Sequence, residues 1–470
     1  FKGYLLPPPY SNPPPDGDIS TGNPLANAID SFSASIGGVN APVGFLGLSP
    51  GSVSLGQANI QVPALPNGDY PLTLTVNGFS SISAIVSVSG TGTPAPTILT
   101  LLSSTGVATS TLQSNTHGVA AVQVNGPDAY VCSANQISVL DISNPSAPVS
   151  AGTFGAAQLN GQGTFCAISQ DYLVETVDAN AFDIYDLTTS VANPQLVAGP
   201  VNLQVPVSGF TTFLGNTGVF TTNSASWSLS SNDILSEGGS VETYNFANFV
   251  QPVYAGTFQP PSNLTGNDAP RFQAAVLNSA DVVVLGTTNT GQAATTGEGQ
   301  FTVIDLTTPA NPQAVAEVLV SQTAVLHAIA LDGTTALISG NTQAWNNPIF
   351  YSGSTPEFLN DGQLTLSLVD FSNAATPTVL STTVTGYQAS GASNVAALGG
   401  GFYAVAIAAP VTDFQGAGTL AVVDTRDATN LVIYPVAVIN GVSSLQVSGG
   451  YLYAVTASGL NIYQITLPVQ

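Results

Sequence analysis

The sequence predicts an all-β chain: a seven-bladed β-propeller preceded by a small β-sandwich and a Pro-rich N-terminal arm. Three observations carry that expectation. A unit of four short apolar runs recurs along most of the 470 residues. The chain is 44% hydrophobic but only 6% charged, with 47 Gly and 32 Pro punctuating the apolar runs, the texture of strands and turns. Its first residues, FKGYLLPPPYSNPPPDGDIS, hold two Pro triplets.

The arm, residues 1–32, comes first. Pro7–Pro9 and Pro13–Pro15 impose an extended, semi-rigid conformation without internal hydrogen bonds. Phe1, Tyr4, Leu5, Leu6 and Tyr10 are apolar anchors along it, and an arm of this kind needs a surface to order it. Two surfaces are open to it. It docks on the next subunit, by strand addition, or it folds back along its own chain.

Residues 33–92 read as a compact sandwich. Strand-like runs are Phe32–Ile36, Ser52–Leu55, Ala58–Val62, Tyr70–Val76 and Ala84–Val88, separated by Gly37-Gly38, Ser49-Pro50-Gly51, Pro66-Asn67-Gly68 and Asn77-Gly78. Ser35–Val39 through Leu46–Gly51, with Gln57–Pro63, resembles an Ig-like module of large secreted bacterial proteins. That resemblance implies export and a spacer role.

The repeats fill residues 93–470. The clearest copy runs from Val119 to Phe154, its third strand ending Val139-Leu140-Asp141-Ile142 ahead of the turn Ser143–Pro148. The same signature returns at Asp186, Asp305, Asp370 and Asp424, and in degenerate form around Tyr244 and Gln464. The intervals of about 40 to 65 residues suit propeller blades. Each signature Asp reads as a turn cap, and the Pro that follows ends the strand. The last copy lacks a fourth strand, while residues 97–103, ahead of the first, match one; pairing the two closes the ring and removes free sheet edges.

The core Val-Ile-Asp-[Ile/Val/Leu]-Ser-Asn-Pro-x-x-Pro resembles the LVIVD-repeat family of bacterial propellers. Val139–Pro148 matches it closely, Val303–Pro312 well and Leu368–Pro377 fairly. The resemblance covers about 93–470 and implies a secreted or cell-surface location, without established catalytic residues.

Charge narrows the function. Three Lys and Arg against 26 Asp and Glu give a net charge of −23. So few cations exclude nucleic acid and polyanionic substrates as partners, and argue against docking on anionic membranes. No run of about 18 apolar residues is present for membrane insertion. The start at Phe1 and the absence of Met read as a processed, exported chain.

Catalytic motifs are missing: no HExxH, GxSxG, Walker A loop or Cys–His constellation occurs. His117 and His327 start innermost strands on roughly opposite sides of the ring, so a shared metal would need the channel to narrow. The carboxylate pairs Glu175/Asp178, Glu237/Glu242 and Glu357/Asp361 show no glycosidase signature. Asp16-Gly17-Asp18 and Asn263–Asp268 offer oxygen ligands for a structural Ca²⁺, without EF-type spacing. Asn263-Leu264-Thr265 is a glycosylation sequon. Cys132 and Cys166 fall on adjacent blades, either bonded or as two buried thiols.

The expectation is therefore not an enzyme and needs no cofactor. It is an exported structural protein that polymerises with copies of itself into an extracellular filament, sheath or surface array, through the arm. The alternative is a secreted or cell-surface binding module whose rim loops grip a glycan or a protein, with Trp227, Trp345, Phe350 and Tyr351 as the aromatic rim.

Overall fold

The computed structural model describes residues 10–15, 18–37, 39–53, 55–65, 68–76, 79–80, 84–88, 97–107, 121–133, 136–155, 166–177, 181–191, 193–204, 207–223, 226–227, 234–236, 239–258, 274–288, 298–342, 362–389, 394–407, 417–440, 442, 444–456 and 458–468. Strands and turns account for all the regular structure among them, and no helix is long and apolar enough to cross a membrane. The chain divides into two compact units, Phe1–Pro96 with Thr385–Gln388, and Thr97–Val384 with Ala389–Gln470.

The second unit contains seven four-stranded antiparallel sheets. Their innermost strands, which begin at Ala121, Cys166, Val207, Ala274, Val325, Asn394 and Ser444, neighbour one another in cyclic order, so the sheets form a closed ring of blades. The seventh blade is composite. Leu99–Thr105 pairs antiparallel with Gly459–Ile465, and the Thr466 N–H donates to the Ile98 carbonyl at 2.8 Å.

Blade faces are covered by neighbouring blades, so the middle strands need no polar alternation. Phe402–Ile407 (FYAVAI) is buried at every position. The core is accordingly a series of clusters between blades. Tyr130, Ile137 and Phe154 of the first blade pack on Leu173 and Tyr185 of the second. Phe182 and Ile184 of the second meet Phe220, Tyr244 and Phe246 of the third. Ile98 and Leu99 lie with Leu420, Val422, Leu452 and Tyr463.

The recurring signature is a double turn cap. Asp141 accepts the Ser143 N–H at 2.8 Å, and Asn144 accepts that of Ser146 at 3.2 Å. The first cap repeats at Asp186, Asp305, Asp370 and Asp424, each accepting the N–H two residues on. In the third blade Asn245, next to the expected marker Tyr244, fills this place and accepts the Ala247 N–H at 2.8 Å. These turns also join blades: Ser103 of the seventh donates to the Pro145 carbonyl of the first at 2.7 Å, and Thr243 of the third to the Pro309 carbonyl of the fourth at 2.7 Å.

The first unit has a five-stranded sheet built on Phe32–Ile36 and Gly68–Val76, and a two-stranded sheet of Val43–Leu48 and Gly56–Ile60. Ala34, Ile36, Leu46, Tyr70 and Leu74 form their shared core. One expected strand is corrected. Ser52 and Val53 lie in a turn in which the Ser49 N–H donates to the Leu55 carbonyl at 2.7 Å, and Val53 and Leu55 are exposed. The strand lies earlier, at Val43–Leu48. There Gly47 allows the lead-in chain to pass: the Leu48 N–H donates to the Ala26 carbonyl at 2.9 Å, and a Cβ on Gly47 would collide with that carbonyl.

Candidate functional site

From Tyr10 onward the arm lies on its own unit. Tyr10 forms a bridge with Ala28, the Ser11 N–H donates to the Asn27 carbonyl at 2.8 Å, and Asn27 bridges on to Gly47. Residues 10–11 and 27–28 thus extend the two-stranded sheet, which is strand addition within one chain. The anchors Phe1, Tyr4, Leu5 and Leu6 lie outside the described residues.

Of the expected aromatic rim, Trp227 falls among the described residues. The backbone of Trp227 forms a short ladder, Ser226–Trp227 against Ile234–Ser236, while Trp345, Phe350 and Tyr351 lie outside the described residues, as do His117, Asp16, Gly17 and Asn263–Asp268. His327 is buried in the innermost strand of the fifth blade. Among the described residues, no group of three or more His, Cys, Asp or Glu could hold a metal ion. Cys132 and Cys166 are joined by a disulfide, which ties the second strand of the first blade to the innermost strand of the second.

The surface of the ring carries a different signal. Eleven large apolar side chains of the ring are exposed among the described residues, and ten of them stand on outermost strands. Every blade contributes: Val149 (63% exposed), Leu196, Val253 (59%), Leu319, Leu380, Val438 (64%) and Leu101, in blade order. Among the described residues, each outermost strand pairs with a neighbouring strand on one side only. Such edges are ordinarily guarded by charge, Lys above all. Across these seven strands the only charged residue is Glu317.

Among the described residues, the turns at one end of the ring are acidic. Strands alternate in direction, so the turns after the first and third strands of every blade emerge at the same end. They carry Asp128, Asp141, Asp171, Asp186, Asp281, Asp305, Asp332, Asp370, Asp424 and Asp427. Arg426 is the one cation among the described residues; it pairs with Asp424 at 2.6 Å and lies 4.5 Å from the Phe402 ring centre. Hydrogen bonds from the Ser143 side chain and backbone hold Asp141 below the usual carboxylate range, and those from Thr429 do the same for Asp427. Burial works against the charge on Asp424, but the Arg426 hydrogen bonds outweigh it and lower its pKa.

A second pattern is internal, and reading the sequence blade by blade missed it. Three residues before each turn cap the third strand carries Ser138, Asp183, Glu242, Thr302, Ser367, Ala421 or Asn461, all buried and all but Ala421 polar. Aligning the repeats on their caps exposes it. In the third blade Glu242 accepts the Gln204 N–H at 3.2 Å and the Tyr244 hydroxyl at 3.3 Å. In the second, Asp183 stands opposite a further buried acid, Glu175.

Comparison with known proteins agrees with the repeat. Residues 118–155 match the LVIVD repeat family. No curated protein matches the chain. Among solved structures it is similar to Sqt1 of Saccharomyces cerevisiae, at 11% identity over 75% of this chain and 96% of that one, with a TM-score of 0.43. It is similar to a protein from Lactobacillus plantarum, at 12% identity over 75% and 96%, with a TM-score of 0.45. It is also similar to BamB from Moraxella catarrhalis, at 12% identity over 79% and 99%, with a TM-score of 0.43.

Proposed function

We propose that this chain is an exported structural subunit that packs against copies of itself in an extracellular filament, sheath or surface array. The observation that carries this reading is the circumference of the ring, where seven outermost strands, paired on one side among the described residues, bear exposed apolar side chains and share a single charged residue. An edge of that composition favours contact with another sheet edge or apolar surface over solvent. In this reading the LVIVD-type repeats extend over residues 93–470, the N-terminal unit is an Ig-like spacer, and the chain has no catalytic role. In the same reading Phe1–Pro9, with the lone Lys2, reaches a neighbouring copy.

Sizing and electron microscopy of the full chain test the proposal. It expects assemblies that grow with concentration and with salt, because salt screens the repulsion between subunits of net charge −23. A monomer at every concentration and salt level overturns it, and one that also retains glycan on an affinity column favours the binding-module alternative. Removal of Phe1–Pro9 separates a contribution of the arm from that of the circumference.

A further inference from the structure

Blade two contains an acid pair that its surroundings do not satisfy. Glu175 lies on the second strand, directly opposite Cys166 on the innermost strand and Asp183 on the third. Side chains directly opposite one another share a face, so the disulfide and the two carboxyls stand in one row across the blade. That row faces blade one, where Cys166 and Tyr185 pack with Tyr130, Ile137 and Phe154. A Cβ on Gly155 would lie 3.1 Å from Glu175 Oε2.

Both acids are more than nine-tenths buried. Neither oxygen of Glu175 has a hydrogen-bond partner, nor does Oδ1 of Asp183. The other titratable groups facing them are phenols: Tyr185 beside Asp183, and Tyr130 from blade one. Burial, and then nearby acidic charges, raise both hydroxyls, so they stay neutral. Tyr185 favours the charged form of Glu175 without closing a well-formed hydrogen bond. The disulfide does not titrate, and Arg426, the one described cation, is committed to Asp424.

Two adjacent carboxylates without a counter-cation cannot both stay ionised in such an interior, whereas one proton between them removes the repulsion and supplies a donor. A hard divalent cation is a poorer occupant, since it asks for six or more oxygens and Ile137, Phe154 and Leu173 supply none. We propose that Glu175 and Asp183 form a proton-holding pair that latches blade two against blade one in acid and neutral media and releases it as the medium turns alkaline.

The titration follows the geometry. Burial, and next the charge of Asp183, push Glu175 up to about 8, and burial raises Asp183. The folded chain therefore binds more protons than the unfolded chain between the ordinary value of 4.5 and about 8. The contribution of the pair is complete below that window and drains away as pH rises through it. Because the disulfide still ties the two blades, release is a local loosening.

The test is the urea midpoint of the full, oxidised chain from about pH 5 to about pH 9, for the wild type, Glu175→Gln and Asp183→Asn. The wild-type midpoint is expected to fall toward alkaline pH, and either amide to remove most of that fall. Infrared spectra add an independent reading: a protonated carboxyl band at neutral pH, lost on alkalinisation and absent from Glu175→Gln. A wild-type midpoint flat across the window, or variants with the full slope, overturns the proposal. So does a calcium addition at alkaline pH that restores the wild type and neither variant, since the pair would then hold a cation.

Discussion

Leu101, which precedes the first blade in sequence, stands opposite Tyr463 near the end of the chain, and the ring is closed by that pairing. The strand carrying it has two unequal faces. Ile98, just ahead of it, is 2% exposed within the core of the sixth and seventh blades, whereas Leu101 is 52% exposed. Ile98→Ala is therefore expected to lower unfolding stability by about 2 to 4 kcal/mol through cavity formation. Leu101→Ala is expected to change it by less than about 1 kcal/mol. Urea titration of the two variants decides the matter, and equal losses would show that the closing strand is not anchored through Ile98.

The Cys132–Cys166 disulfide spans 34 residues and joins two neighbouring blades. Removing it with the double variant Cys132→Ala, Cys166→Ala frees that loop in the unfolded chain. The expected cost is about 3 to 4 kcal/mol in the loop-entropy account. Chemical denaturation of the double variant beside the oxidised wild type measures it. Both cysteines are buried, so reductant should act on the native protein only as fast as the blades open.

The blades were legible in the sequence because each one repeats a local solution to the same turn. Asp141, Asp305 and Asp370 announce their caps through the Ser-Asn-Pro or Thr-Pro residues that follow. Asn245 was harder to place, because it stands where the other copies carry Asp. In the N-terminal unit Gly44 and Gly47 disguised a strand as a loop. The need for Gly47 comes from Ala26, twenty-one positions away, and a long-range approach leaves no local trace. The apolar circumference was hidden for a related reason: which apolar strand of a blade is outermost depends on the assembled ring. The acid pair required knowing that Glu175 and Asp183 face each other, which is a matter of register.

The turn caps give the protein an acid limit of opposite sign to the latch. Asp141, Asp424 and Asp427 are all held below the ordinary value of 3.8. Their contribution is therefore present above that value and is lost as pH falls through their lowered values. With Glu175 draining stability on the alkaline side, the unfolding midpoint should peak in mildly acidic solution and decline on both flanks. Asp141→Asn keeps an acceptor for the Ser143 N–H but cannot be protonated, so its acid flank should be shallower than that of the wild type. A midpoint that keeps rising from neutral to alkaline pH would contradict the alkaline half of this argument, and one that stays level into acid would contradict the acid half.

The apolar circumference predicts how assembly can be switched off without unfolding the ring. Val253, Leu319 and Leu380 lie on the outermost strands of three consecutive blades, and all three are exposed. Replacing them with Lys places charge on edges that lack it, the device by which sheet proteins ordinarily avoid edge contacts. Exposed substitutions of this kind should change folding stability by about 0.5 kcal/mol or less each. If copies pack through these edges, the triple variant should sediment as a discrete particle under conditions where the wild type grows, with an unaltered unfolding midpoint. The same number of Lys at the acidic turns, for example at the exposed Ala147, Thr308 and Ala375, is the necessary control, because added positive charge alone reduces the repulsion between subunits. Growth blocked equally by both sets would show that the block does not depend on the edges, whereas growth blocked only by the edge set ties assembly to the outermost strands.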